Sequence, residues 1–258
     1  MNLQQALRVT NKSKIAFVGS GGKTTALFQL ARLLEPPVVV TASTHLGAWQ
    51  LGFADRHFTI ARADDIDHYA SQIEGVTLFT GAPVSDQRVS GLAVDALERI
   101  NDLTSLGFPV LVEADGSRQK PLKAPGAHEP ALPSWVNQVV ACTGLLGLGK
   151  PLTEATVHRV NEFSRISGLG IGEPITVEAL LNALTHPQGG LKNIPPGAKK
   201  SAIINQVDSE EVYDQLMRVA SQLTTHFHSI SITALERKKT WTNLERTAGI
   251  ILAAGGAS

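Results

Sequence analysis

One stretch constrains the fold more than any other. Ile15, Ala16, Phe17 and Val18 make an apolar run that breaks at Gly19 into Ser20-Gly21-Gly22-Lys23-Thr24-Thr25. A short run of this kind reads as a buried parallel strand, and from Thr24 the residues Ala26, Leu27, Leu30, Ala31 and Leu34 recur with helical spacing. Strand, glycine turn and helix, in that order, read as a phosphate-binding loop. Gly19, Gly21 and Gly22 lack the Cβ atoms that would keep backbone N–H groups from closing around an anion, and the new helix directs its positive end to the same place. Lys23 then reaches the β/γ-phosphates, Thr24 offers a hydroxyl to Mg²⁺, and Ser20 and Thr25 belong to the same nucleotide-binding loop.

The spacing departs from the usual pattern, which has a glycine five positions before the Gly-Lys pair, where this chain has Phe17. The shorter form resembles the loop of the Mur ligases. A dinucleotide fingerprint fails, because its third glycine would fall on Thr24. The alternative to a nucleotide site is a plain glycine turn between a strand and a helix.

With 258 residues, 43% hydrophobic and 18% charged, the chain suits one large soluble α/β unit carrying an insertion. Lysine plus arginine equals aspartate plus glutamate at 23 each, so no overall basic field points to nucleic acid or an anionic membrane as partner. Cys142 is the only cysteine, which excludes an internal disulfide framework. The first residues lack the apolar centre of a signal peptide, and no run approaches membrane-spanning length, so the expected location is cytoplasmic.

Further along, 38–41 is a β-branched strand that runs into Ser43, Thr44 and His45. In α/β proteins ligands bind at the C-terminal ends of strands, so Ser43 or Thr44 is a candidate oxygen near the metal and His45 a candidate contact to a phosphate or a reacting group; a self-satisfied polar turn is the alternative. Residues 57–60 and 76–79 read as strands around a helix near 64–73, and 92–103 as a helix.

A second informative stretch runs from Val110-Leu111-Val112 to Glu113-Ala114-Asp115-Gly116. An apolar strand ending in carboxylates is what nucleotide-hydrolysing folds use to hold Mg²⁺ or its waters opposite a phosphate loop. Asp115 is the metal candidate, and Glu113 is a candidate to orient the nucleophile. Arg118, Lys120 and Lys123 follow, placed to stabilise charge on a transferring phosphoryl group or to clamp an anionic substrate, unless they form a solvated basic loop. Pro121, Pro125, Pro130 and Pro133 exclude a regular helix or central strand here, and His128-Glu129 between them is a candidate ligand or base pair. The histidines lack zinc spacing, and His226 and His228 alternate along an expected strand edge.

Residues of about 145–197 read as a helical insertion, with helices at 157–166 and 176–185. Residues 201–204 restore a strand, which ends in Asn205-Gln206-Val207-Asp208. That ending resembles the N-K-x-D base-recognition motif of GTP-binding proteins with Gln206 in place of lysine, making Asn205 and Asp208 candidate base contacts. Alternatively, Asp208 and Glu211 form a capping box for the next helix, which is followed by a last strand at 229–233. The tail at 248–258, with Leu252-Ala253-Ala254-Gly255, resembles the opening of MobA-like nucleotidyltransferases, cut short before its arginine.

Several of these motifs agree with one family. The loop at residues 19–25, the block from Val112 to Arg118 continuing through Lys120-Pro121-Leu122-Lys123 to His128-Glu129-Pro130, and Val157-His158-Arg159 together resemble the YqeC family, accessory proteins of selenium-dependent molybdenum hydroxylases. The resemblance implies nucleotide binding and a part in maturing a molybdenum or selenium cofactor. Molybdopterin or another small anion, a molybdenum hydroxylase or a MobA-like cytidylyltransferase are then the implied partners. The expected architecture is a P-loop NTPase-like, mostly parallel, doubly wound α/β domain over 1–247, binding Mg²⁺ with ATP or GTP, with 248–258 as the remnant or start of a second domain.

Overall fold

The computed structural model describes residues 2–103 and 107–235. Its centre is an eight-stranded sheet in which every pairing is parallel: β1 (Lys14–Gly19), β2 (Val38–Ala42), β3 (Arg56–Thr59), β4 (Val76–Thr80), β5 (Val110–Glu113), β6 (Gln138–Gly144), β7 (Lys199–Asn205) and β8 (Ser229–Ile232). The spatial order is β8-β7-β6-β1-β5-β2-β4-β3. Successive strand residues face opposite sides, so a sheet covered on both faces needs strands apolar throughout. The expected run at 15–18 meets this condition.

The two faces have different covers. Ile15, Phe17, Val40 and Leu111 pack on one side with Leu3 and Leu7 of α1 (Leu3–Leu7) and Ala26, Leu27 and Leu30 of α2 (Lys23–Leu33). Ala16, Val18, Val112 and Ala141 pack on the other with Ile66 of α3 (Asp65–Tyr69), Ile100 of α4 (Val94–Leu103), Phe163 of α5 (Val160–Ser167), Leu180 of α6 (Val177–Thr185) and Leu216 of α7 (Glu210–Leu223). Phe17, where the usual loop pattern has glycine, is fully buried inside β1. The glycine turn therefore begins only at Gly19, which is why the loop is short.

Register decides what meets at the sheet's C-terminal edge. Phe17 and Ala42 both lie opposite Glu113, Gly19 lies opposite Cys142, and Gly144 opposite Asn205. The chain leaves β1 towards β2 on one side and later crosses from β5 to β6 on the other, so the glycine loop after β1 stands where the strand order reverses.

The helices expected at 145–197 are present as α5 and α6, and they form the β6-to-β7 connection packed directly on the sheet. Other expectations are corrected. Val157–His158 is not helical but a two-residue strand pairing in parallel with Leu122–Lys123 of the proline-rich segment, in a small sheet apart from the central one. Helix periodicity extended too far here because it cannot register a partner thirty-odd residues away. His226 lies in the turn after α7 and His228 just before β8, so they do not alternate along a strand. The cap of α7 is Ser209, whose hydroxyl accepts from Val212 N. The short antiparallel sheet of Leu46–Gly47, Pro83–Ser85 and Arg88–Val89 was not anticipated. Among the described residues no helix is long and apolar enough to cross a membrane. The MobA-like tail lies outside the described residues.

Candidate functional site

The loop closes because its glycines allow it to. Gly19, Gly21 and Gly22 have φ of 96°, 77° and 116°, a region open to glycine at little cost. A Cβ on Gly19 would lie 2.1 Å from Cys142 O, one on Gly21 2.2 Å from Gly144 Cα, and one on Gly22 2.3 Å from Asn205 Nδ2. Ser20 is buried, and its N–H donates to Cys142 O at 3.0 Å. Asn205, fully buried, donates to Gly21 O at 3.0 Å and accepts from Thr233 Oγ1 at 3.0 Å and Leu235 N at 2.9 Å. Its amide staples the loop to the ends of β7 and β8. Of the two candidate base contacts, only Asp208 is exposed.

Beside the loop, β5 delivers both carboxylates. Gly19 N–H donates to both oxygens of Asp115, at 2.9 and 3.1 Å. Lys23, at the first turn of α2, donates to Gly19 O at 2.8 Å and lies 3.3 Å from Asp115 Oδ1 and 3.9 Å from Glu113. Burial by itself would lower the Lys23 pKa, but the Asp115 and Glu113 charges more than offset it and leave it raised. Thr24 Oγ1 donates to Glu113 Oε2 at 2.7 Å and accepts from Gln50 Nε2 at 3.2 Å. Burial raises the Glu113 pKa, against the opposing pull of Lys23 and of the Thr24 hydrogen bond. The sequence paired Thr24 with Asp115; the geometry pairs it with Glu113, while Asp115 is held by an amide and by lysines on both sides.

The second of those lysines is Lys123, 3.0 Å from Asp115 Oδ2 and 2.8 Å from Glu129 Oε2. Glu129 in turn receives Arg159 through two bonds of 2.7 Å. Opposite charges thus alternate from Glu113 through Lys23, Asp115, Lys123 and Glu129 to Arg159. Burial pushes the Glu129 pKa up, but hydrogen bonds from Arg159 and Lys123 prevail and bring it from an ordinary 4.5 to about 2. Cys142, behind the loop, is buried with its thiol pushed up to about 12, so it is no nucleophile.

The other sequence candidates are more scattered. Thr25 is half-buried on α2, Thr44 is half-buried near Gly116, and His45 and His128 are exposed. Arg118 is exposed, and Lys120 reaches only Ala155 O, at 3.5 Å. Gln50 and Arg159 were missed as site residues. Arg159 stood within a quoted motif, whereas Gln50 gave no local signal. Among the described residues no three His, Cys, Asp or Glu side chains cluster to hold a metal ion by themselves.

Comparison with known proteins supplies the remaining observation. The family model described as YqeC protein matches residues 15–161. The uncharacterized protein YqeC of Escherichia coli (strain K12) is 32% identical over 200 residues, which cover 74% of this chain and 75% of that one. No solved structure matches.

Proposed function

The chain belongs to the YqeC family, and on that premise we propose that it binds a Mg²⁺–nucleoside triphosphate, ATP or GTP, and hydrolyses it or transfers its γ-phosphoryl group. The fold it uses is then of the P-loop NTPase kind, and its task is that of an accessory protein in maturing a molybdenum- or selenium-dependent hydroxylase. One observation carries the reading. An ammonium, a hydroxyl and two carboxylates meet at the start of α2, beside three glycines whose Cβ positions are filled by neighbouring chain.

The residues fit the ligand. Mg²⁺ bound with nucleotide takes one or two protein oxygens, and Thr24 with Asp115, once Lys23 leaves it for a phosphate, would provide them. When bound, the ion supplies neutralisation of phosphate charge. Lys23 then exchanges its Asp115 partner for a phosphate, and the loop amides and the first turn of α2 receive the remaining oxygens. Glu113, with its pKa raised by burial, is the group suited to orient and deprotonate a nucleophile.

A second reading, a nucleotide-gated carrier for a molybdopterin cofactor with little turnover, is favoured by the charge chain. If nucleotide draws Lys23 away from Asp115, the balance on Lys123, Glu129 and Arg159 changes with it. Phosphate release from ATP, GTP and CTP with Mg²⁺, with and without partner proteins, separates the two. Turnover that vanishes in Lys23→Ala supports the enzyme; tight binding without turnover supports the carrier; absence of nucleotide binding contradicts both.

A further inference from the structure

Beyond the far end of the charge chain lies a cleft of about 470 Å³. Its walls include Arg118, Lys120, His158 and Arg159, with Glu154 and Glu162 also lining it. Val157–His158 pairs with Leu122–Lys123, placing His158 in register with Lys123, so the cleft is one strand step from the lysine that touches Asp115. We propose that this cleft is a binding subsite for a small molecule carrying a phosphate group, distinct from the nucleotide's own phosphates.

The chemistry of the walls argues for it. Arg118 makes no hydrogen bond or ion pair among the described residues, and its guanidinium offers a planar fork matched to phosphate. Lys120 has only the long contact to Ala155 O, so its ammonium keeps donors to spare. Arg159 is bound on one side by Glu129 yet still lines the cleft. The two carboxylates of the lining are exposed, where solvent screens them. The first turn of α5 adds backbone donors, since its N-cap, Arg159, makes no side-chain cap.

Two further observations agree. The His158 pKa is lowered first by burial and then by the charges of Arg159, Arg118 and Lys123, with Glu129 acting in the other direction. Arg118 and Arg159 have φ of 51° and 66°, a left-handed conformation that is strained for a residue with a Cβ. Both residues line this one cleft.

That the phosphate compound acts alongside a nucleotide rests on the function proposed above; the anion site itself does not. The test uses the full chain and inorganic phosphate, raised to about 50 mM against chloride at constant ionic strength, the range for a weak isolated anion. Histidine ring resonances are followed, with the His158 signal identified by its loss in His158→Gln. The expected result is a saturable shift of that signal in wild type and in Lys23→Ala, weakened about tenfold in Arg118→Ala, the effect of one lost charge-assisted contact. Arg118 has no partner among the described residues, so its replacement should leave the fold intact. No saturable shift, a shift unchanged in Arg118→Ala, or one abolished by Lys23→Ala alone would overturn the proposal. A shift retained in Lys23→Ala, together with nucleotide binding unaffected by that substitution, would uphold the cleft and reject the phosphate-loop reading.

Discussion

Glu129 holds two cations, Lys123 and Arg159, whose other neighbours are Asp115 and backbone carbonyls. Its depressed pKa means that it stabilises the fold at pH above the ordinary 4.5, and that this contribution is lost as pH falls from there towards about 2. Allowing for partial exposure, Glu129→Gln should cost about 2 kcal/mol at pH 7 in denaturant unfolding. The gap to wild type should narrow below pH 4.5; a gap independent of pH would show that its charge is not what matters. Asn205→Ala removes the staple between Gly21 and the ends of β7 and β8, leaving buried partners unpaired, and should cost about 2–4 kcal/mol. Gly22→Ala should weaken nucleotide binding, because its Cβ would fall on the Asn205 amide. An alanine variant with wild-type affinity would show that the loop need not be so close. Lys23, Thr24, Glu113 and Asp115 were legible as candidates because a glycine turn at a helix start and a carboxylate-ended strand are local patterns. Gln50, Arg159 and the stapling role of Asn205 were not, since each is defined by a partner 26, 30 or 184 positions away.

Element by element, hydrophobic period located β1 to β5, β7 and β8 of the main sheet and the helices α2 to α7, because a strand buried on both faces and a helix buried on one leave different spacings. It failed on pieces held by single pairings. Val157–His158 owes its strand to Leu122–Lys123, and Arg159, at φ 66°, marks where strand gives way to α5. The element that closes the site from above is α5, whose Phe163 and Ile166 share a pocket lining with Gly19, Asp115 and Lys123. Phe163→Ala should cost about 3–4 kcal/mol from burial and cavity formation, measured by thermal or denaturant unfolding. A loss under about 1 kcal/mol would mean that α5 is not packed as described.

For the whole molecule, the informative property is that an all-parallel sheet gathers the C-terminal ends of β1, β5, β6 and β7 at one edge. Residues as far apart in sequence as Gly19, Asp115 and Asn205 become neighbours through register alone. The sequence motifs named candidate residues, and the strand order, with β5 directly beside β1, determined which of them would touch. The consequence was a reversal, with Thr24 beside Glu113 and Asp115 held between lysines. The proposed function requires that this edge hold a Mg²⁺–nucleotide through Lys23. Equilibrium binding of ATP and GTP by calorimetry, with and without Mg²⁺, in wild type and Lys23→Ala tests it most directly. The expected result is Mg²⁺-dependent binding of at least one nucleotide that Lys23→Ala weakens by about 30-fold or more, the loss of a charge-assisted phosphate contact. Equal affinity of the two proteins, or no binding by wild type, would contradict it.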